Sequence, residues 1–452
     1  MRKVVTLIAV ALAGCAPATQ TPAALPPPVV PLSARVAGLL PDVVLLEGAG
    51  PEVAAFYGAR AFTPAWSDDA AVLSQARDVL AIAADAASHG LDPAHYPMDR
   101  ARYLLDAGND ARALAEFDVA LTQVWLAYGR DLSQGVVDPG AVSEDWSAAP
   151  AAPDLVATLT GALREGRAAA ALAALAPRAP GYERLRVALA ERRRAGDDSA
   201  ARRVAANLER WRWLPRDFGD RYVMVNTPAF ELMVSEGGRH TLTSRVIVGR
   251  CDWPTPIVSG DITHVVLSPS WRVPASIAAQ EILPLVRADT AYLERNGFAV
   301  YGPDGARVAR PDTSQWASYR LMQAPGPTNP LGRVKFFFAN DYGVYLHDTP
   351  GAGLFETCPR AFSHGCVRVE RAVELAALLL RDGRWPRDSL VAAAAAGRER
   401  WLTLPGAVPV HLVYFTAWVD ETGTLELYDD VYGWDALLLH ALERRAIEPP
   451  SP

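Results

Sequence analysis

A cysteine is a nucleophile only as its thiolate, and a thiolate forms near neutral pH when a positive group lies close. The run Ser363-His364-Gly365-Cys366-Val367-Arg368 puts a thiol two residues from an imidazole and two from a guanidinium. Gly365 allows a tight backbone next to the thiol. The amides around Gly365 and Cys366 can then face a developing oxyanion, the usual device of acyl transfer. Upstream lies Tyr345-Leu346-His347-Asp348-Thr349-Pro350. His347 ends a strand-like segment and Cys366 lies just before a helix-like one, so both can project into one cleft. On residue types alone, Cys366 is either this nucleophile or a buried core thiol.

The elements that must position these residues fall into two groups. From 43 to 214 the chain is dense in Ala, Leu and Arg. Apolar residues at helical spacing predict helices at 69–87, 112–128, 154–167, 180–194 and 199–213. Trp125, Trp211 and Trp213 sit at helical spacing and read as core. At Tyr222 the period changes to two. Strands are expected at 222–226, 229–234, 241–248, 264–267, 334–338, 344–347, 411–418 and 424–428, with helices at 370–380 and 389–398. Residues 271–315 interrupt the strands and carry helical patterning around Ile277 to Val286. An insertion of that length in a compact domain is usually functional, and here it reads as a lid.

His347 followed by Ser363-His364-Gly365-Cys366 and Arg368 resembles the catalytic motif of the L,D-transpeptidases of the YkuD type. Further segments are similar to the large Gram-negative members. They are Val-Asn-Thr-Pro-Ala-Phe at 225–230, Ser-Arg-Val-Ile-Val-Gly-Arg at 244–250, Leu-Gly-Arg-Val-Lys-Phe at 331–336, His-Asp-Thr-Pro at 347–350 and Phe-Thr-Ala-Trp-Val-Asp at 415–420. Phe-Tyr-Gly-Ala-Arg at 56–60, Pro-Ala-Trp at 64–66 and Gly-Leu-Asp-Pro at 90–93 look like that group's helical scaffold. The resemblance covers roughly residues 45–435.

This resemblance implies an α+β protein: a helical scaffold domain (43–214), then a β-sandwich-like catalytic domain (215–435) with an inserted capping lid (271–315), then a tail (436–452). It implies a periplasmic cell-wall enzyme whose thiolate attacks the carbonyl of the third residue of a peptidoglycan tetrapeptide and releases the terminal D-Ala. A stem side-chain amine then takes the acyl group, giving a 3→3 cross-link; water in its place gives a carboxypeptidase. By the same resemblance Cys366 is the nucleophile and His347 the general base and acid. Gly365 and Cys366 supply oxyanion amides, and Ser363 and His364 line the site. Arg368 binds a stem carboxylate, with a structural ion pair as the alternative, while Tyr345 and Trp271 line the donor cleft. Orientation of His347 falls either to Asp348 or to a backbone carbonyl. Acylation by carbapenem β-lactams is expected, and no cofactor or metal.

Three features depart from that group. No small peptidoglycan-binding module fits between the 180–194 and 199–213 helices. The start of the chain is lipoprotein-like. Cys251 and Cys358 accompany Cys366 as a disulfide pair, as a redox trap for Cys366, or as two plain thiols.

Arg2 and Lys3, a short apolar run and Leu12-Ala13-Gly14-Cys15 form a secretory leader at 1–14. Its ending resembles the bacterial lipobox, which implies lipidation of Cys15 and a membrane anchor. Ala16 rather than Asp after Cys15 leans, by resemblance to sorting signals, towards the outer membrane. The Pro- and Ala-rich stretch at 15–42 reads as an extended tether.

Composition narrows the classes. The 452 residues carry a net charge of −7, which argues against a nucleic-acid partner. Four cysteines are too few for a disulfide scaffold. No apolar stretch is long enough for a spanning helix. The order His347 before Cys366 is opposite to that of papain-like proteases. The eight histidines are scattered, with no His-Glu-x-x-His and no Cys-x-x-Cys. A wall-tethering lipoprotein without activity is the reading from a different class.

Overall fold

The computed structural model describes residues 30–46, 48–69, 72–105, 110–147, 151–381 and 385–447. The leader, Cys15 and most of the expected tether lie outside the described residues. The protein is α+β, with a helical region followed by a β-rich domain.

The helical region comprises α1 (Leu32–Leu46), α2 (Gly50–Ala59), α3 (Ser74–Ala84), α4 (Met98–Leu105), α5 (Ala111–Gln134), α6 (Leu155–Arg164), α7 (Ala168–Ala173), α8 (Pro180–Arg194) and α9 (Asp198–Arg212). The tether expected to reach 42 stops earlier, because α1 begins at Leu32. Its residues Leu32, Val36, Leu40 and Val43 recur about one turn apart and are buried, and α1 packs on α5.

Helix α5 is the axis of this domain. Asp110 caps its start by accepting the Ala113 N–H at 2.9 Å, and Gly135, at φ +85°, follows its last turn. Mid-helix, the buried Asp118 carboxylate accepts the N–H groups of Ala65 (2.7 Å) and Trp66 (3.0 Å) and the Tyr57 hydroxyl (2.8 Å). Burial pushes its carboxyl up to about 6. The segments at 56–60 and 64–66 are therefore wrapped around a buried carboxylate of the scaffold.

The second domain begins with β1 (Arg221–Asn226), β2 (Glu231–Glu236), β3 (Arg239–Gly249) and β4 (Val258–Leu267). The lid follows: β5 (Trp271–Arg272), α10 (Ala275–Ile277), a π-helical turn (Ala278–Ile282), α11 (Leu283–Ala288), α12 (Tyr292–Arg295), β6 (Phe298–Tyr301), β7 (Arg307–Val308) and β8 (Arg320–Gln323). The chain returns through β9 (Val334–Phe338), β10 (Leu346–His347), β11 (Ala361–Ser363), β12 (Val367–Val369), α13 (Ala372–Leu379) and α14 (Arg387–Ala395). It ends with β13 (Arg400–Val413), β14 (Ala417–Val419), β15 (Leu425–Leu427) and α15 (Trp434–Ile447).

The main sheet runs β11-β3-β12-β10-β9-β4-β13-β1-β2, and β2 pairs back onto β3. It thus closes on itself around a core that includes Val223, Leu232, Val246, Val265, Phe336, Leu346 and Val367. Strand β13 is long enough to serve two neighbours and β3 to serve three. In β13 the register shifts between Thr403 and Val408, the stretch holding Pro405 and Gly406.

Two boundaries differ from expectation. The lid extends to Gln323, because β8 pairs with both β5 and β6, and Trp316 and Leu321 complete the lid's own core. Residues 436–452 were expected to be a tail, but 434–447 form α15, which packs on α9 with Trp434 and Leu438 buried. Among the described residues no helix is long and apolar enough to cross a membrane.

The domains meet at α8 and α9. Trp211 stacks on Phe415 at 4.8 Å between ring centroids, Asn207 exchanges hydrogen bonds with Thr416, and Arg210 pairs with Asp435 at 2.5 Å. The segment at 415–420 is accordingly an interdomain element.

Candidate active site

Strand register gathers the site. Strands β10 and β12 are parallel, with Leu346 opposite Val367 and His347 opposite Arg368. Strands β10 and β9 are antiparallel, with Leu346 opposite Phe336 and His347 opposite Lys335. Leu346, Val367 and Phe336 point into the sheet core and are fully buried. By the two-residue alternation, Tyr345, His347, Cys366, Arg368 and Lys335 share the other face. That face opens into a cleft of about 290 Å³ lined by His347, Cys366, Arg368, Tyr345, Ser363 and His364, with Trp253, Trp271, Ser276, Ile277 and Leu331 around them. All the residues singled out in the catalytic segments except Asp348 and Gly365 line this one cleft.

His347 is 4% exposed. Its Nδ1 lies 2.5 Å from the backbone oxygen of Asp348, so Nδ1 carries the proton and Nε2 is left as the basic nitrogen. Burial holds this imidazole down to about 3, helped by the charges of Arg368 and Lys335 and opposed by the backbone of Asp348 and, less, of Leu331. It is neutral at physiological pH. The Asp348 carboxylate has a different task. It accepts the N–H of Arg333 at 2.8 Å and the Arg333 guanidinium at 3.3 Å. Gly332 makes this possible: a Cβ there would lie 2.6 Å from Asp348 Oδ2.

The Cys366 thiol is partly buried, and burial pushes it up. A backbone hydrogen bond from Tyr345 and the charges of Lys335 and Arg368 oppose that shift. Gly365 sits at φ +99°, and a Cβ there would come within 3.3 Å of the Pro254 carbonyl. Its own carbonyl accepts the Thr255 hydroxyl at 2.9 Å, while Thr255 Oγ1 accepts the Gly249 N–H at 2.8 Å. Ser363 closes the turn by donating to the Cys366 carbonyl at 2.5 Å and accepting the Gly365 N–H at 3.2 Å. The oxyanion donors differ from expectation here. The Gly365 N–H is taken by Ser363, whereas among the described residues no hydrogen bond occupies the Cys366 N–H.

Arg368 has no carboxylate within ion-pair distance among the described residues, so the structural ion pair is not formed. The lid covers this corner. Glu281, in the π-helical turn, pairs with His364 at 2.7 Å, and its charge also acts on Arg368. Trp271 and Tyr345 line the cleft together. Asn329, fully buried, donates to the carbonyls of Pro269 and Ala324, tying together the two chain ends on which the lid is carried. Cys251, Cys358 and Cys366 are free thiols, and the first two are exposed.

Sequence reasoning missed Lys335, Thr255 and Asn329, and it gave Glu281 no role. Thr255 and Asn329 act through contacts distant in the chain, so nothing local marks them. Lys335 did carry a signal: only Lys3 and Lys335 are lysines among 44 cationic residues.

A buried neutral imidazole and a thiol flanked by cations, on adjacent strands at the floor of a cleft, are the parts needed for thiol-based acyl transfer. Residues 220–398 match the model of the L,D-transpeptidase catalytic domain (YkuD), and residues 51–189 match that of the scaffold domain. The chain is thus similar, in tandem, to a scaffold domain and to an L,D-transpeptidase catalytic domain. A Haemophilus influenzae protein named "Putative L,D-transpeptidase" is 34% identical over 245 residues, 53% of this chain and 49% of that protein. The match spans about half the length of that relative. A solved L,D-transpeptidase from Mycobacterium smegmatis matches at 12% identity and a TM-score of 0.22, over 43% of this chain and 58% of that one. A likeness at that level carries no argument.

Proposed function

We propose that the protein is a peptidoglycan L,D-transpeptidase with Cys366 as nucleophile. The observation that carries the reading is the His347–Arg368 register, which sets Cys366, a neutral His347 and an unpaired Arg368 on one face of one cleft. His347 Nε2 takes the thiol proton as Cys366 Sγ attacks the carbonyl of the donor stem's third residue. The Cys366 N–H faces the oxyanion. As the C–N bond breaks, His347 returns the proton to the departing D-Ala amine and a thioester remains on Cys366. A stem side-chain amine then attacks the thioester, His347 takes its proton, and the thiol leaves with that proton. The product is a 3→3 cross-link.

Arg368 holds a stem carboxylate, for which its planar fork is suited. Tyr345 and Trp271 wall the donor groove. We place the protein in the periplasm, anchored by lipid on Cys15 and more readily to the outer membrane, and carbapenems as acylating agents of Cys366. No peptidoglycan-binding module separates α8 from α9, so capture of substrate rests on the cleft, the scaffold and the tether.

Purified tetrapeptide muropeptides incubated with the protein, beside Cys366→Ala, test this. A dimer lacking one D-Ala, absent with the variant, is the expected product. Tripeptide alone would make the protein an L,D-carboxypeptidase. No turnover by either protein would favour a wall tether.

A further inference from the structure

We infer that Lys335 is the cation that sustains the Cys366 thiolate, acting from behind Tyr345 as a positioning residue outside the substrate cleft. Its ammonium lies 3.6 Å from the centroid of the Tyr345 ring, and its strand position is opposite His347. Lys335 does not line the cleft, whereas Tyr345 does. Tyr345 therefore stands between the ammonium on one side and the cleft it shares with Trp271 on the other.

The need for such a cation follows from the other groups present. His347 is held neutral, so no imidazolium stands ready beside the thiol. Arg368 opens onto the cleft, where the lid's Glu281 and an incoming carboxylate both draw on its charge. Lys335 stands outside the cleft, so an incoming substrate does not cover it; its charge acts on Cys366, although burial pulls its own pKa down. The charged and titratable groups around the pair are Tyr345, His347, Arg368 and His364 on the nucleophile's side, and Arg272 and Glu399 on the lysine's. Glu399 is partly engaged, since it accepts the Ser270 N–H and the Trp401 indole.

The inference rests on Cys366 being the nucleophile, but its test needs no substrate. In iodoacetamide labelling the thiolate sulfur displaces iodide, so the rate against pH reads the thiolate fraction. Peptide-resolved labelling of the full chain follows Cys366, with Cys251 and Cys358 as internal references. In Lys335→Met the Cys366 midpoint should rise by about one pH unit, a roughly tenfold slower reaction at neutral pH. Lys335→Arg should stay near wild type, and the two reference thiols should not move. A Lys335→Met profile that overlays wild type would overturn the inference, as would an equal shift in Lys335→Arg. Should the methionine variant melt early, Lys335→Gln replaces it with the same two readings. A failed muropeptide assay would remove the proposed reaction while leaving this profile to be read independently.

Discussion

The Nδ1 of His347 is 2.5 Å from the main-chain oxygen of Asp348, while the Asp348 side chain turns away to Arg333. His347 is thus oriented by its own backbone neighbour, and the carboxylate serves the fold. His347→Gln should lower the acylation rate by about 10²–10⁴-fold, the usual worth of a positioned base. Asp348→Ala keeps the carbonyl but strands the Arg333 N–H, at a cost of about 1–3 kcal/mol. It should therefore show in thermal unfolding more than in turnover. Equal losses of rate in the two variants would refute this division of labour.

The neutral imidazole fixes the pH behaviour. The folded His347 holds at about 3, below the usual 6.5 of an unfolded histidine. The unfolded chain then binds the extra proton, so stability is full above about pH 6.5 and declines as pH falls towards 3. His89, at about 3, and His411, at about 4, act in the same sense. Melting curves of wild type should therefore fall more steeply below about pH 6 than those of His347→Gln. Turnover should show no His347 protonation limb near pH 6.5; such a limb, absent in the variant, would contradict the assignment.

Gly332 bears on both residues of that pair. Its φ is +61°, and a Cβ would collide with Asp348 Oδ2 at 2.6 Å and with the Thr349 N–H nitrogen at 2.7 Å. Gly332→Ala should lose about 1–2 kcal/mol from the left-handed backbone alone, with more from the clash. It should also slow acylation by moving Asp348 and the carbonyl it holds against His347. Unchanged melting and unchanged rate would refute the close fit.

On the lid, the half-exposed Glu281–His364 pair is worth about 0.5–1 kcal/mol at most. Glu281→Ala should raise hydrogen exchange across 275–288 by roughly two- to fivefold, leaving β4 unchanged. Equal exchange in both proteins would show that the pair does not hold the lid.

Much of this site was legible because its chemistry is local. Ser363, His364, Gly365, Cys366 and Arg368 lie in one run, and His347 ends a strand whose alternation is plain. What stayed hidden depends on pairing between distant segments. Lys335 joins the site only through the β9–β10 register, and Thr255 reaches Gly365 across 110 positions. The strand at 411–418 was placed too late because Pro405, Gly406 and Pro409 read as breaks, whereas a register shift carries β13 through them. Helix α1 hid behind the proline-rich stretch before it and its own Pro41, and among the described side chains of α15 Trp434 and Leu438 are the buried apolar anchors. The scaffold motifs at 56–60 and 64–66 were recognisable, but their reason, the buried Asp118, appears only in three dimensions.

The central claim is that a donor stem becomes a thioester on Cys366 with loss of its terminal D-Ala. Brief incubation with tetrapeptide, acid quenching and peptide mapping by mass test it most directly. The account predicts an added tripeptide acyl group on the peptide containing Cys366, and none in Cys366→Ala. Product formation with that peptide unmodified, or an adduct on Cys251 or Cys358 instead, would contradict it.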